Sequence, residues 1–142
     1  MTTIREMAPS DASDIADLSA ELGYPTEPEV MRGRIARIGA GNNHLILVAD
    51  VDGSAAGWLH AEATEALESG SRVEIVGLVV GEKFRRRGVG ARLVARAEEW
   101  ASKRGVESVV VRSNEKRTES HSFYPALGYS KSKTQAVYRK RV

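Results

Sequence analysis

The segment that decides the fold is Leu78–Gly90, with the sequence LVVGEKFRRRGVG. Its first three residues close an almost entirely apolar run, Arg72–Val80, which is typical of a strand covered on both faces. Beyond Gly90, apolar residues recur at helical spacing as far as Trp100. The segment therefore predicts a loop that joins a buried strand to an amphipathic helix.

The sequence before and after this loop predicts several strands, which form one sheet, and four helices. Predicted strands cover residues 2–7, 44–49, 55–63, 72–80 and 106–112, with a last strand or hairpin around 134–138. Predicted helices cover residues 11–22, 26–38, 89–104 and 115–127. A tight turn is predicted at 51–54 and a polar loop at 65–71. This order predicts a mixed α/β fold in a single domain of residues 1–142.

Composition narrows the class of protein. Hydrophobic residues make up 42% of the 142 and charged residues 28%, and no apolar run approaches the roughly 20 residues that a membrane span needs. The N-terminal residues lack the apolar stretch of a secretory signal, so we expect a cytoplasmic protein that does not associate with membranes. Cysteine is absent, and His44, His60 and His121 lack the spacing of a zinc motif, so we expect no metal.

Arg85–Gly90 combines three arginines with two glycines where the predicted helix begins. Because Gly88 and Gly90 lack a Cβ atom, the backbone there can approach a ligand closely, and the N–H groups of a helix start can point at phosphate oxygens. Arginine adds charge and a fork of donors that matches phosphate geometry. The segment predicts a phosphate site, although a solvated turn before a helix-start glycine would have the same sequence.

Two segments resemble the motifs of one known family. Arg85–Gly90, with Leu78–Val80 before it and Ala91 after it, resembles the central coenzyme A motif of the GNAT superfamily of N-acetyltransferases. That motif is Gln or Arg, two residues, Gly, one residue, and Gly or Ala. Asn114–Tyr129 is similar to the C-terminal signature of the same family, in a version with an Arg and a His ahead of a Phe-Tyr pair.

This resemblance implies a fold, an activity and a set of contacts. The fold is a single-domain α/β fold with a mixed, mostly antiparallel sheet, a splayed central strand pair and helices on both faces. The activity is acetyl-CoA-dependent transfer of an acetyl group to a primary amine by direct attack, with a small molecule or a peptide amino terminus as acceptor. A homodimer is compatible with the resemblance. The cofactor contacts that it implies fall on Leu78, Val79, Val80, Arg85, Arg86, Arg87, Gly88, Val89, Gly90, Ala91, Asn114 and His121.

Two side chains are candidates for the chemistry. Tyr124 aligns with the usual general acid of the family, and a phenol with a pKa of about 10 suits protonation of a leaving thiolate. Glu74 interrupts an apolar strand, where an acidic side chain is costly unless it is used or paired, and some family members carry a base on this strand. We predict Tyr124 as the acid and Glu74 as the base. The alternative for Tyr124 is that it only packs beside Phe123 and hydrogen-bonds the cofactor. The alternatives for Glu74 are that it points to an open cleft without catalysing or pairs with an arginine such as Arg72 or Arg112.

Other assignments stay open at this stage. Asn114 suits either a pantetheine contact or a helix cap, His121 suits either a cofactor contact or a plain surface position, and His60 and Trp58 could line a cleft or only pack. A domain that binds acyl-CoA without turnover, as a sensor or partner module, is the alternative function. A nucleic-acid binder would use the arginine cluster, but 19 acidic residues balance 21 basic ones, so we expect no nucleic-acid binding.

Overall fold

The computed structural model describes residues 1–113, 117 and 119–142. Within these residues the chain forms five strands and four α-helices: β1 Thr2–Glu6, α1 Ala12–Glu21, α2 Pro28–Gly39, β2 His44–Val51, β3 Ser54–Ala66, β4 Gly70–Val80, α3 Val89–Arg104, β5 Ser108–Val111 and α4 Ser120–Ala126. Contacts divide the chain into two compact units, Met1–Arg112 and Ser113–Val142. The first unit contains the whole sheet with α1–α3, and the second contains α4.

The five strands form one sheet in the order β1-β2-β3-β4-β5. The pairs from β1 to β4 are antiparallel, and only β4 and β5 run parallel. The long connection needed between parallel strands is supplied by α3. The predicted mixed, mostly antiparallel sheet is therefore confirmed.

Strand β4 stays paired with the edge strand β5 over only part of its length. Arg72–Ile75 pair with Ser108–Val111, and β4 then continues to Val80 beyond the end of β5. At the same point the register between β3 and β4 shifts, which leaves Val76 as an extra residue on β4. Such a bulge bends a strand and increases its twist. Pairing of β4 with β5 thus ends at Ile75 within the described residues, and the splay of the two strands stays a prediction.

Helices cover both faces of the sheet, as predicted. Alternate residues of β2 point to opposite sides: Ile46 and Val48 pack in a cluster with residues of α1 and α2. Leu47 lies on the other face, where α3 buries Leu93 and Val94 against the sheet. Each face therefore has its own apolar core.

An ion pair fixes the start of α1 next to the edge strand. Arg5 of β1 donates two hydrogen bonds, of 2.9 and 2.8 Å, to the carboxylate of Asp11, which also accepts a 2.8 Å bond from the N–H of Ala8. The hydrogen bonds from Arg5 lower the pKa of this buried carboxyl. This network fixes the chain direction as it passes from the sheet into α1.

Two predicted segments were wrong. The polar loop over 65–71 is instead the end of a hairpin, because Thr64, Glu65 and Ala66 continue to pair with β4 and leave only three residues in the turn. Polarity there reflects exposure of the strand ends rather than a loop. The predicted last strand around 134–138 does not form: residues 129–142 contain no helix or strand, and Val137 and Tyr138 are exposed. A segment with alternating apolar residues does not form a strand when those residues pack against nothing.

The predicted helix over 115–127 corresponds to α4, which in the described residues begins at Ser120. Its last turn is tight, since the N–H groups of Leu127 and Gly128 donate to carbonyls three residues earlier. No helix in the described part of the chain combines the length and apolar character needed to cross a bilayer.

Candidate functional site

The exposed backbone at the end of β4 is the first part of the site. After Ile75, the backbone groups of β4 that point away from β3 have no β5 residue to pair with among the described residues. Leu78 and Val80 are half-buried, and Val79 is buried in the core under α1. The end of β4 is therefore held by β3 on one side. Its other side has backbone donors and acceptors for an extended ligand.

The loop after β4 starts from a fixed point. The N–H of Gly81 donates a 2.8 Å hydrogen bond to the carbonyl of Ala56 on β3. A Cβ atom on Gly81 would lie 3.0 Å from Leu18 of α1 and 3.3 Å from the Ala56 oxygen, so a side chain at this position would crowd its neighbours. The close packing holds the base of the loop and leaves its arginines at the surface.

The start of α3 has the geometry of an anion site. Gly88 is the N-cap residue with φ 74° and no side chain caps the helix, and its first turn contains no acidic residue. Arg86 also has a left-handed backbone, with φ 64°. Alternation of left-handed and ordinary residues turns successive N–H groups toward one side, and the uncapped first turn leaves its own donors without intrahelical partners. A phosphate would accept hydrogen bonds from these donors, and its negative charge would interact favourably with the helix dipole.

The arginine side chains of the loop add positive charge at the surface. Arg85 and Arg86 are exposed and have no acidic partner within the described ranges. Arg87 lies over the ring of Phe84, at 5.6 Å from the centroid. A Cβ atom on Gly88 would meet nothing within 4 Å, so the space above this residue is open. Arg85–Gly90 therefore fits a pyrophosphate group in both charge and access.

Glu74 is buried, and both of its carboxylate oxygens lie near arginines. Its Oε2 accepts a 2.8 Å hydrogen bond from Arg112, and its Oε1 lies 3.7 Å from Arg72. The carboxyl side chain is 11% exposed, whereas that of Arg112 is 55% exposed. The ion-pair alternative from the sequence is thus the arrangement found, and it joins β4 to the end of β5 over the segment where the two strands are paired.

Two histidines on neighbouring strands contact each other, a contact that the sequence did not indicate. The Nδ1 of His44 on β2 lies 2.9 Å from the Nε2 of His60 on β3, and the ring centroids are 5.1 Å apart. Burial lowers the pKa of His60 below its ordinary value, and His44 lowers it further, against an opposite effect of Glu62. His60 is therefore a neutral imidazole at neutral pH.

Trp58 packs rather than lining an open cleft. Its ring joins the core cluster under α1 and α2, and a Cβ atom at Gly77 of β4 would lie 2.6 Å from the ring. The missing side chain at Gly77 is what allows the indole to lie across β4. The packing alternative for Trp58 is therefore the one found.

The second unit contains the predicted acid. Tyr124 is half-buried in α4, and its ring makes edge contacts with Phe123 and Tyr129 at 4.9 and 5.9 Å between centroids. Burial raises the pKa of its phenol, against an opposite effect of Arg117. The phenol is therefore protonated at neutral pH, as a general acid has to be. His121 is exposed on α4.

Asn114 lies outside the described residues, so its predicted contact stays a prediction. In the described part of the chain, no three His, Asp or Glu side chains converge as metal ligands would.

Comparison with known proteins shows the family. A family model described as "Acetyltransferase (GNAT) family" matches residues 12–129. An aminoglycoside N(6')-acetyltransferase type 1 of Salmonella enteritidis is 26% identical, over 97% of this chain and 98% of that protein.

Two solved structures have the same fold. Aminoglycoside N-acetyltransferase AAC(6')-Iy in complex with CoA has a TM-score of 0.88 and 23% identity, over 100% of this chain and 96% of its own. A protein described as a transcriptional regulator from Bacillus halodurans C-125 has a TM-score of 0.89 and 24% identity, over 99% and 100%.

We predict that Glu74→Gln lowers the free energy of unfolding by about 1.5–2 kcal/mol, the lower part of the range for a hydrogen bond to a charged group, because the Arg112 side chain is half exposed to solvent. The matched control is Glu62→Gln, since Glu62 lies directly opposite Glu74 on β3. Removing one of two facing carboxylates should not destabilise the pair of strands. Urea denaturation of both variants measures the difference, and equal stability of the two would contradict a structural role for Glu74.

Proposed function

This chain belongs to the GNAT family of acetyltransferases, and we propose that its acceptor is a primary amine of a polycationic small molecule of the aminoglycoside class. As a family member it is an acetyl-CoA-dependent N-acetyltransferase that acts on a small amine. The relative from Salmonella enteritidis, named for acetylation at N6' of aminoglycosides, matches this chain almost from end to end. That match supports the aminoglycoside class over a peptide amino terminus.

The observation that carries the proposal is the uncapped start of α3, one short loop after the unpaired end of β4. In our proposal the N–H groups and arginines of Arg85–Gly90, with Ala91, hold the pyrophosphate. The free backbone edge of Leu78–Val80 hydrogen-bonds the amides of the pantetheine arm. The N–H of Val80 is our proposed donor to the acyl oxygen, which gains negative charge as the amine attacks.

The bound thioester supplies the acyl group, and the chain's own residues position it and move protons. Three groups have to be provided: a neutral amine, a donor for the oxyanion, and a proton for the departing thiolate. We assign the third to Tyr124, because its burial keeps the phenol protonated at the pH where the reaction takes place. A contact of His121 or Asn114 with the coenzyme is a weaker part of the proposal and is supported only by the family motif.

We also propose a single domain and a cytoplasmic location for this protein. The family match runs from residue 12 to residue 129 and so includes parts of both compact units, which supports one N-acetyltransferase domain over residues 1–142. We propose a cytoplasmic location, because the reaction consumes acetyl-CoA and the protein therefore needs a compartment that supplies it. A homodimer is compatible with this proposal and is tested by the molecular mass in solution.

The acceptor is tested by incubating the protein with acetyl-CoA and an aminoglycoside that has a 6'-amino group. We expect release of one thiol per molecule of monoacetylated product, measured by thiol titration and mass spectrometry. The matched acceptor has a hydroxyl in place of the 6'-amine and should not be acetylated at this position. Binding of acetyl-CoA without thiol release from any amine, peptides included, would instead indicate the non-catalytic acyl-CoA sensor.

We predict that Tyr124→Phe lowers kcat by about 10²-fold, the lower end of the range for general acid catalysis, with little change in the KM for acetyl-CoA. The ring and its packing are kept, and only the proton donor is lost. Tyr129→Phe is the matched control, because it removes the phenol of the neighbouring ring. Steady-state kinetics that show the same kcat for Tyr124→Phe and the wild type would remove Tyr124 from the chemistry.

A further inference from the structure

We propose that Glu21, the last residue of α1, is a positioning residue for the cofactor: its carboxylate holds the turn of residues 81–84, which joins the two parts of the acetyl-CoA site. These parts are the unpaired edge of β4 and the start of α3. The inference rests on the proposed function, because it assumes that the thioester arm lies along the edge and the pyrophosphate at Arg85–Gly90. It adds to the site a residue that lies outside both sequence motifs of the family.

Two side chains of α1 contact the beginning of this turn. The Oε1 of Glu21 accepts a 3.0 Å hydrogen bond from the N–H of Glu82, which lies 61 residues further along the chain. Leu18 is buried and lies so close to Gly81 that a Cβ atom on this glycine would be 3.0 Å from the leucine Cδ2. Residues three apart lie on the same face of a helix. One face of α1 therefore contacts two consecutive residues of the turn.

The turn sets the distance between the two parts of the site. Hydrogen bonds of an antiparallel pair alternate in direction along a strand, and the N–H of Gly81 donates toward β3, to Ala56. The N–H of Val80 therefore points away from β3, toward the unpaired edge. Only residues 81–84, which include a single 3₁₀ turn, separate this proposed oxyanion donor from the first arginine of the loop. The hydrogen bond to Glu21 is made inside this short connection.

A series of contacts continues from the turn to the arginine loop. A Cβ atom on Gly81 would be 3.4 Å from the ring of Phe84, so this ring lies beside the same glycine that Leu18 contacts. The N–H of Phe84 also donates a 2.9 Å hydrogen bond to the carbonyl of Gly81. Arg87 in turn lies over the Phe84 ring. Because packed side chains carry a displacement from one residue to the next, a shift of the turn would also move Phe84 and Arg87.

The stability of α1 does not account for a carboxylate at this position. Negative charge at the C-terminal end of a helix interacts unfavourably with the helix dipole. The last turn of α1, Leu18–Glu21, has the sequence LSAE, in which the only charge is negative. The first N–H groups of a helical turn, in contrast, have no partner within that turn. Glu21 therefore gains its hydrogen bond from the turn at Glu82 and not from its own helix.

Calorimetric titration with acetyl-CoA tests the inference on the folded protein. Glu21→Ala should raise the Kd about tenfold, the lower end of what one hydrogen bond to a charged group contributes, because the turn is then no longer held. Glu21→Gln keeps an oxygen that accepts from the N–H of Glu82 and should bind acetyl-CoA almost as the wild type does. Asp17→Ala is the matched control, since it removes another exposed carboxylate of α1 and should leave the Kd unchanged.

The same variants separate positioning from two other roles. If Glu21→Ala lowers the free energy of unfolding but the folded variant binds acetyl-CoA like the wild type, the contact is only structural and the proposal is wrong. Steady-state kinetics with the 6'-amino aminoglycoside should show a higher KM for acetyl-CoA in Glu21→Ala and an unchanged KM for the acceptor. A higher KM for the acceptor alone, in both Glu21→Ala and Glu21→Gln, would mean that the carboxylate binds the acceptor and would overturn the proposal.

Amide hydrogen exchange measures the contact without turnover. The N–H of Glu82 should exchange more slowly in the wild type and in Glu21→Gln than in Glu21→Ala. Equal exchange in all three proteins would show that the bond is not formed in solution and would overturn the proposal. Failure of the folded wild type to bind acetyl-CoA would remove the proposed cofactor site and this inference with it, whereas equal binding by the wild type and Glu21→Ala would remove the inference alone.

Discussion

The interruption of strand pairing after Ile75 is the constraint on which the candidate site depends. Over Arg72–Ile75, β4 is held on both sides, by β3 and β5, and the Glu74–Arg112 pair reinforces the junction. Beyond it, a bulge turns β4 and its outer backbone edge has no strand beside it among the described residues. An unpaired edge is normally a liability in a sheet. Here the edge leads into the loop that contains Arg85–Gly90, so one strand connects the unpaired edge to the start of α3.

The polar residues on one face of the sheet form two separate groups, one around Glu74 and one made of two histidines. Glu74, Arg72 and Arg112 neutralise one another and hold β4 to β5. His44 and His60 form a separate, hydrogen-bonded pair on the neighbouring strands β2 and β3. A buried carboxylate costs free energy unless it is paired, and the Glu74 carboxylate is paired with Arg112. The same face therefore contains two separate polar contacts, the Glu74–arginine cluster and the histidine pair.

The sequence predicts the strand, the loop and the helix because hydrophobic periodicity changes sharply at Gly88. It also predicts that Glu74 is either paired or used, because the strand is otherwise apolar. The bulge at Val76 and the left-handed Arg86 have no signal in residue type, since neither position is a glycine. The histidine contact depends on the register of the β2–β3 hairpin, and a shift at Ala49 and Asp50 alters the register that the turn alone would give. The pattern of residue types along a short stretch of sequence does not predict such register shifts.

The central claim, that the start of α3 binds the pyrophosphate of acetyl-CoA, is tested most directly by isothermal titration of three proteins. Gly88→Trp places an indole in the open space above the loop, and Gly105→Trp does the same at the other end of α3, where φ is 72° against 74° at Gly88 and a Cβ atom likewise meets nothing within 4 Å. Backbone strain is thus matched in the two variants. The account predicts micromolar binding by the wild type and by Gly105→Trp, and none by Gly88→Trp. Equal binding by both variants, or no binding by a folded wild type, would contradict it.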